Sequence, residues 1–188
     1  SGIPAAGPHP AQADAGKRGV ILTGTAGIGK STVLLQVIKS LRQEGVPLLA
    51  LRVDRLEPTQ RPDEAGRQIG LSASPPVTLA ALARGKPSVL ILDQFDAVSL
   101  MSGRNPWFFE CLDEMARQAL TVPAMRLVIA CRRFDFENDH RLRRLGGRDD
   151  VFEAIEVGPF SEKTVRQTVN KMGIDATRLS GHQIRLLS

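Results

Sequence analysis

Gly24-Thr-Ala-Gly-Ile-Gly-Lys-Ser31 is the stretch on which the reading of this sequence turns. Gly24, Gly29, Lys30 and Ser31 satisfy the spacing GxxxxGK[ST]. Glycines let a tight loop aim successive backbone N–H groups inward, and a following helix adds the positive end of its dipole. Gly24, Thr25, Ala26, Gly27, Ile28, Gly29, Lys30, Ser31 and Thr32 therefore read as a nest for a nucleotide's phosphates. Lys30 is expected to set a compact charge on the β- and γ-phosphates, and the Ser31 hydroxyl to ligate Mg2+.

Such a loop is meaningful only between a strand and a helix, and its flanks supply both. Residues 20–22 form a short continuous apolar run, as do 46–53, 89–92 and 127–131, with a weaker one at 152–157. Continuous rather than alternating apolar runs suit strands buried on both faces, the condition of a parallel sheet covered by helices. Between them lie helical periods. Val33, Leu34, Val37, Ile38 and Leu41 share one face of a helix expected over 31–44, which Gly45 would end. Phe109, Leu112, Met115 and Ala119 make a stripe on a helix over 106–119, and 78–83 reads as a shorter one. Regular alternation of the two implies right-handed crossovers and a doubly wound sheet.

Two more strands end in groups that belong at a ligand edge. Ser88-Val-Leu-Ile-Leu-Asp93 carries an acid to the carboxyl end of a buried strand, where Asp93 is expected to hold Mg2+. Hydrolysis also needs a group to orient or deprotonate water. Many ATPases of this kind place Glu directly after the metal aspartate, and here that position is Gln94. Asp96 is the acid near enough to act on water, or to cap the segment that follows. Leu127-Val-Ile-Ala-Cys-Arg-Arg133 ends a further strand in arginine. Arg132 is expected to reach a γ-phosphate, and Arg133 to be a solvated or ion-paired surface residue.

Composition narrows the class. The apolar fraction is 42% and the charged fraction 24%, as in ordinary globular chains. No apolar run approaches the ~20 residues that span a bilayer, so no membrane contact is expected. Residues 1–16 lack the apolar core of a signal peptide and read as a flexible leader ahead of a domain at 17–158. Residues 159–188 change texture, with a capped helix expected over 161–172, and read as the truncated beginning of a helical lid. Cys111 and Cys131 lack CxxC spacing and are expected to be reduced core thiols of a cytoplasmic protein. The net charge of +5 is dispersed, and its richest stretch, 132–148, is interleaved with acids and has no aromatic platform. That pattern argues against a nucleic-acid surface.

The combination of residues 24–31 with Leu90-Ile-Leu-Asp-Gln-Phe-Asp96, Ile129-Ala-Cys-Arg132 and Phe134-Asp-Phe-Glu-Asn-Asp139 resembles the STAND class. These are signal-transduction ATPases related to AAA+ proteins and including the NACHT group; the likeness is to bacterial members and covers 17–188. It implies an α/β, three-layer P-loop NTPase with a five-stranded parallel sheet flanked by helices, plus the start of a small helical lid. It places the Arg132 strand between the loop strand and the Asp93 strand, with Arg132 as sensor of the γ-phosphate. ATP, or ADP after hydrolysis, would then toggle the protein between a closed form and an open, often oligomeric, signalling form. Some bacterial members serve in defence against phage. Other domains of a larger chain, and possible self-oligomerisation, are the partners the resemblance implies.

Two departures bear on turnover. The STAND pattern has a small residue at Gln94 and a second acid at Ala97, so slow hydrolysis or a binding-only switch is expected. Rival readings are an AAA+-like ATPase acting on nucleic acid and a kinase-type enzyme, for which no acceptor-site motif is found. A GTPase is disfavoured because Asn170-Lys171 is followed by Met172 and Gly173 rather than by the guanine signature.

Overall fold

β1 (Gly19–Thr23), β2 (Leu48–Arg52), β3 (Ser88–Asp93), β4 (Met125–Ala130) and β5 (Phe152–Glu156) pair in parallel throughout, in the order β2-β3-β4-β1-β5. The computed structural model describes residues 17–103, 106–148 and 150–158. The expected leader and the lid helix over 161–172 lie outside the described residues. All five apolar runs became strands, and β4 stands between β3 and β1 as the resemblance implied. The expected strand limits shift by one or two residues, as strand ends do where the ladder hydrogen bonds stop.

Successive strand residues face opposite sides of the sheet, so the runs of β1, β3 and β4 each feed two cores. Ile21, Leu90, Leu92, Leu127 and Ile129 point into the larger one, while Leu22, Ile91 and Ala130 point into the smaller. α2 (Pro62–Gln68), α3 (Pro75–Ala83) and α4 (Pro106–Thr121) cover the larger face, joined by Leu142 and Leu145 of α6 (His140–Gly146). α5 (Arg133–Asn138) immediately precedes α6. The anticipated stripe of α4 is buried, and so are Phe108, Cys111, Ala116 and Leu120. That helix packs against α2 and α3 as well as the sheet, so it needs apolar residues around most of its circumference.

α1 (Lys30–Gln43) covers the opposite face and is less buried than its pattern suggests. Leu34 is fully inside, Val33, Ile38 and Leu41 are half-buried, and Val37 is exposed. Among the described residues α1 is the one helix packed on the small core, so the edges of its stripe stay uncovered.

α3 starts three residues before the expected 78, with Pro75 and Pro76 in its first turn. Proline there loses no hydrogen bond, since first-turn N–H groups have no helical acceptor. α2, α5 and α6 were not anticipated. Six or seven residues hold too few turns to show a helical period.

Candidate functional site

The loop that leaves β1 reaches α1 through Gly27 and Gly29, whose φ values of 80° and 97° are in the left-handed region open to glycine. Gly29 caps α1 without a side-chain bond, and the first turn of that helix carries no acid. Its leading N–H groups thus lack helical acceptors and keep their positive end unneutralised.

Lys30 is the first residue of α1 and is buried, with its Nζ donating to the carbonyls of Gly24 and Thr25 at 2.9 Å each. An ammonium has three donors, so one remains for an anion in the nest. Burial lowers the Lys30 pKa from its ordinary value, and the carboxylates of Asp96 and Asp93 oppose that shift.

Ser31 and Asp93 come from elements 62 residues apart, yet the Ser31 hydroxyl donates to Asp93 Oδ2 at 3.0 Å. This separation suits Mg2+. Neighbouring oxygens of an octahedron with bonds of 2.0–2.1 Å lie about 2.9 Å apart. Two protein oxygens with the remaining positions open are also what Mg2+ takes when phosphates and water complete its shell. Among the described residues no group of three His, Cys, Asp or Glu could hold a metal ion.

Gln94 follows Asp93 in a left-handed conformation, φ 59° and ψ 40°. Its N–H donates to Asp93 Oδ1 at 2.9 Å, and its side-chain amide lies 3.5 Å from the Ser31 oxygen.

Asp96 sits in a 3-10 turn over Phe95–Val98 and is 6% exposed. One oxygen accepts the Arg132 N–H at 3.2 Å, and the other meets Arg132 Nε at 3.0 Å. Burial raises the Asp96 pKa, while Arg132 draws it back down. Asp96 therefore ties the end of β3 to the end of β4, a role that neither the water-activating nor the capping expectation described. Arg132 lies two residues beyond β4 and its side chain is 55% exposed, leaving it free to turn outward. Arg133 pairs with Glu137 at 2.7 Å and Glu156 at 2.9 Å on the surface, matching the ion-paired expectation.

Residues that sequence reasoning did not assign hold this edge together. Asp135 of α5 accepts from the Ser99 hydroxyl. Asp139, fully buried, accepts from Leu100 N at 2.8 Å and from Arg141 N at 2.9 Å. Arg141 also donates to the Val98 carbonyl at 3.0 Å and lies 4.2 Å above the Phe109 ring. The segment carrying Asp96 is thereby fastened to α5 and α6. The signal was present as Asp135 and Asp139 in the 134–139 stretch, but their partners are 36 and 39 residues away.

Two cavities open beside Arg132. One of about 530 Å3 is walled by Thr25, Ala26, Arg133, Phe134 and Glu137. The other, about 320 Å3, is walled by Asp54, Gln94, Asp96, Ser99, Met101 and Phe134. Cys111 and Cys131 are free and buried, with thiols pushed up to about 12 by burial. Among the described residues no helix is long and apolar enough to cross a membrane.

No protein-family model matches the chain, and a search of curated protein sequences finds no match. Solved structures do match in fold. A FIGL-1 AAA domain in complex with ADP superimposes with a TM-score of 0.54 at 20% identity, over 82% of this chain and 48% of that one. AMPPCP-bound DnaA from Aquifex aeolicus gives 0.55 at 14% identity, over 89% and 49%. An E. coli MS115-1 HORMA:CdnC:Trip13 complex gives 0.52 at 15%, over 91% and 57%. The chain spans about half the length of these proteins. The fold is that of AAA-type P-loop domains, a three-layer α/β arrangement around a five-stranded parallel sheet.

Proposed function

We propose that this chain is a Mg-ATP-binding switch domain of slow turnover, one module of a larger STAND-type signalling or defence protein. The observation that carries the reading is the Ser31–Asp93 contact of 3.0 Å at the mouth of the Lys30 loop. It joins a phosphate nest to an oxygen pair of Mg2+ geometry at one point of the sheet edge. The fold is shared with a FIGL-1 AAA domain described in complex with ADP and a DnaA described as AMPPCP-bound, which supports a nucleotide as ligand.

In this reading the N–H groups of residues 24–32 take the α- and β-phosphates, and Lys30 bridges to the γ-phosphate. Ser31 and Asp93 hold Mg2+, which when bound neutralises charge on the phosphate oxygens. Arg132 leaves Asp96 for the γ-phosphate, reporting its presence and freeing the carboxylate. Attack of water on the γ-phosphorus forms one P–O bond as the bond to the bridging oxygen breaks. Asp96 receives the water's proton, and ADP departs with the cleaved electron pair. Arg132 returns to Asp96 once phosphate leaves, so other domains, or further copies of the chain, could read which partner it holds.

A second reading, an AAA+-like ATPase working on nucleic acid, draws on one observation. A replication initiator DnaA described as bound to AMPPCP and single-stranded DNA shares the fold at a TM-score of 0.54 and 15% identity.

Calorimetric titration with Mg-ATP tests the main reading. Lys30→Ala should weaken ATP binding by about 10- to 100-fold with an unchanged circular-dichroism spectrum, since charge-assisted hydrogen bonds are worth about 1.5–3 kcal/mol. Unaltered affinity would remove the phosphate-cradle assignment.

A further inference from the structure

α4 and α6 together line a cavity of about 380 Å3. It shares no residue with the phosphate loop or with either cavity beside Arg132. Its two sides differ in charge. Glu110, Asp113 and Arg117 come from α4, while Arg141 and Arg144 come from α6 and Arg148 follows that helix.

Some of these charges are already matched. Arg117 lies 3.3 Å from Asp113 and 2.9 Å from Glu114. Among the described residues no side-chain hydrogen bond or ion pair reaches Glu110, Arg144 or Arg148, all of them exposed. Arg141 is held more firmly, with its side chain 19% exposed. Its Nε and Nη2 donate to both oxygens of Asp139 and to the Val98 carbonyl, and the guanidinium lies over the Phe109 ring. Those bonds use three of the five guanidinium N–H groups. The two on Nη1 meet no acceptor among the described residues. A donor fixed in advance loses little freedom on binding, which favours affinity.

Charge narrows what such a cavity takes. Two open arginines against one open glutamate leave a local surplus of one positive charge. Arginine forks match the plane of a carboxylate and can hold it by two parallel bonds. Glu110 in the wall repels a dianion such as phosphate and calls for a donor on the ligand. The volume falls in the range of small-molecule sites, roughly 300–1,000 Å3.

We propose that this cavity binds a small acidic aminocarboxylate, its carboxylates on Arg141, Arg144 and Arg148 and its ammonium on Glu110. The assignment stands apart from the ATP reading. Arg141 also holds the Val98 carbonyl at the end of the turn that carries Asp96, so the occupant bears on the segment beside the phosphate loop.

Calorimetric titration of the whole chain with L-glutamate as probe should show saturable binding with a dissociation constant of about 1 mM or tighter. Arg144→Ala and Arg148→Ala should each weaken it about tenfold or more, with an unchanged circular-dichroism spectrum. Glu110→Gln should weaken L-glutamate but leave succinate, which lacks the amino group, bound equally or more tightly. Mg-ATP should leave the affinity for L-glutamate unchanged. Absence of saturable binding up to about 10 mM L-glutamate would overturn the proposal, as would parent-like affinity in both arginine variants. Displacement by Mg-ATP would overturn it too, by putting the anion in the phosphate loop. Inorganic phosphate binding as tightly as L-glutamate, or a Glu110→Gln without effect, would overturn the choice of an aminocarboxylate.

Discussion

Arg132 is held at two points by one carboxylate, and the two contacts differ in what they cost to break. The backbone N–H to Asp96 is 3.2 Å long and fixes the chain just past β4. The guanidinium contact at 3.0 Å joins a buried acid to a half-exposed side chain. Breaking it leaves a buried carboxylate oxygen without that donor, a cost of about 1–3 kcal/mol. A phosphate offering two oxygens to the guanidinium supplies charge-assisted bonds of the same order in exchange. Arg132→Ala should abolish the preference between ATP and ADP, read as the ratio of their dissociation constants. It should also destabilise the fold by about 1–3 kcal/mol, because the buried Asp96 oxygen loses its donor. Adding Asp96→Asn should recover much of that stability without restoring the nucleotide preference. A retained preference in Arg132→Ala would move the sensing role to another residue. The positions of Lys30, Ser31, Asp93 and Arg132 were legible because each is fixed by the strand or helix that delivers it. The turn at Gln94 was not, since nothing local to the sequence demands a left-handed residue there.

The short elements α5 and α6 gain their order from side chains that reach away from them. Asp139 caps α6, receives Leu100 N, and is gripped by Arg141 Nε at 3.1 Å and Nη2 at 2.9 Å. Burial pushes its pKa up, but the hydrogen bonds from Arg141 and Leu100 outweigh this and hold it down at about 2. A carboxyl whose pKa is depressed on folding stabilises the native state above its unfolded value near 3.9. That contribution, on the order of 2 kcal/mol, is lost as pH falls from about 4 towards 2. Chemical denaturation across this window should show the parent chain losing stability faster than Asp139→Asn. Parallel acid profiles would mean that Asp139 gains nothing from its partners. This also explains why the two helices could not be seen in the sequence. Their order draws on bonds to residues 98–100, so a six- or seven-residue window contains one partner of each bond and not the other.

The centre of the sheet was legible because β3, β4 and β1 are largely buried on both faces, and continuous apolar runs announce that directly; the edge strands β2 and β5 are mostly exposed or half-buried. Charge is the property of the whole molecule that composition alone does not resolve. A surplus of +5 permits nucleic-acid binding, but only cations free to meet phosphates contribute to it. Arg52, Arg61, Arg117, Arg132, Arg133 and Arg141 each have a carboxylate partner within 4.0 Å. Arg117, Arg141, Arg144 and Arg148 do gather around one cavity of about 380 Å3, but Glu110 and Asp113 share its wall and Arg117 and Arg141 are already ion-paired. Few phosphates would then be neutralised at once, and affinity falls with salt roughly as 0.9 per phosphate contact on a log–log scale. Fluorescence anisotropy with single-stranded DNA should give a dissociation constant weaker than ~10 μM at 0.15 M salt, the same with and without Mg-ATP. Sub-micromolar binding that depends on ATP and survives this salt would favour the nucleic-acid ATPase over the signalling switch. It would also locate cations outside the pairs named here, since breaking those to reach DNA would forfeit contacts already made.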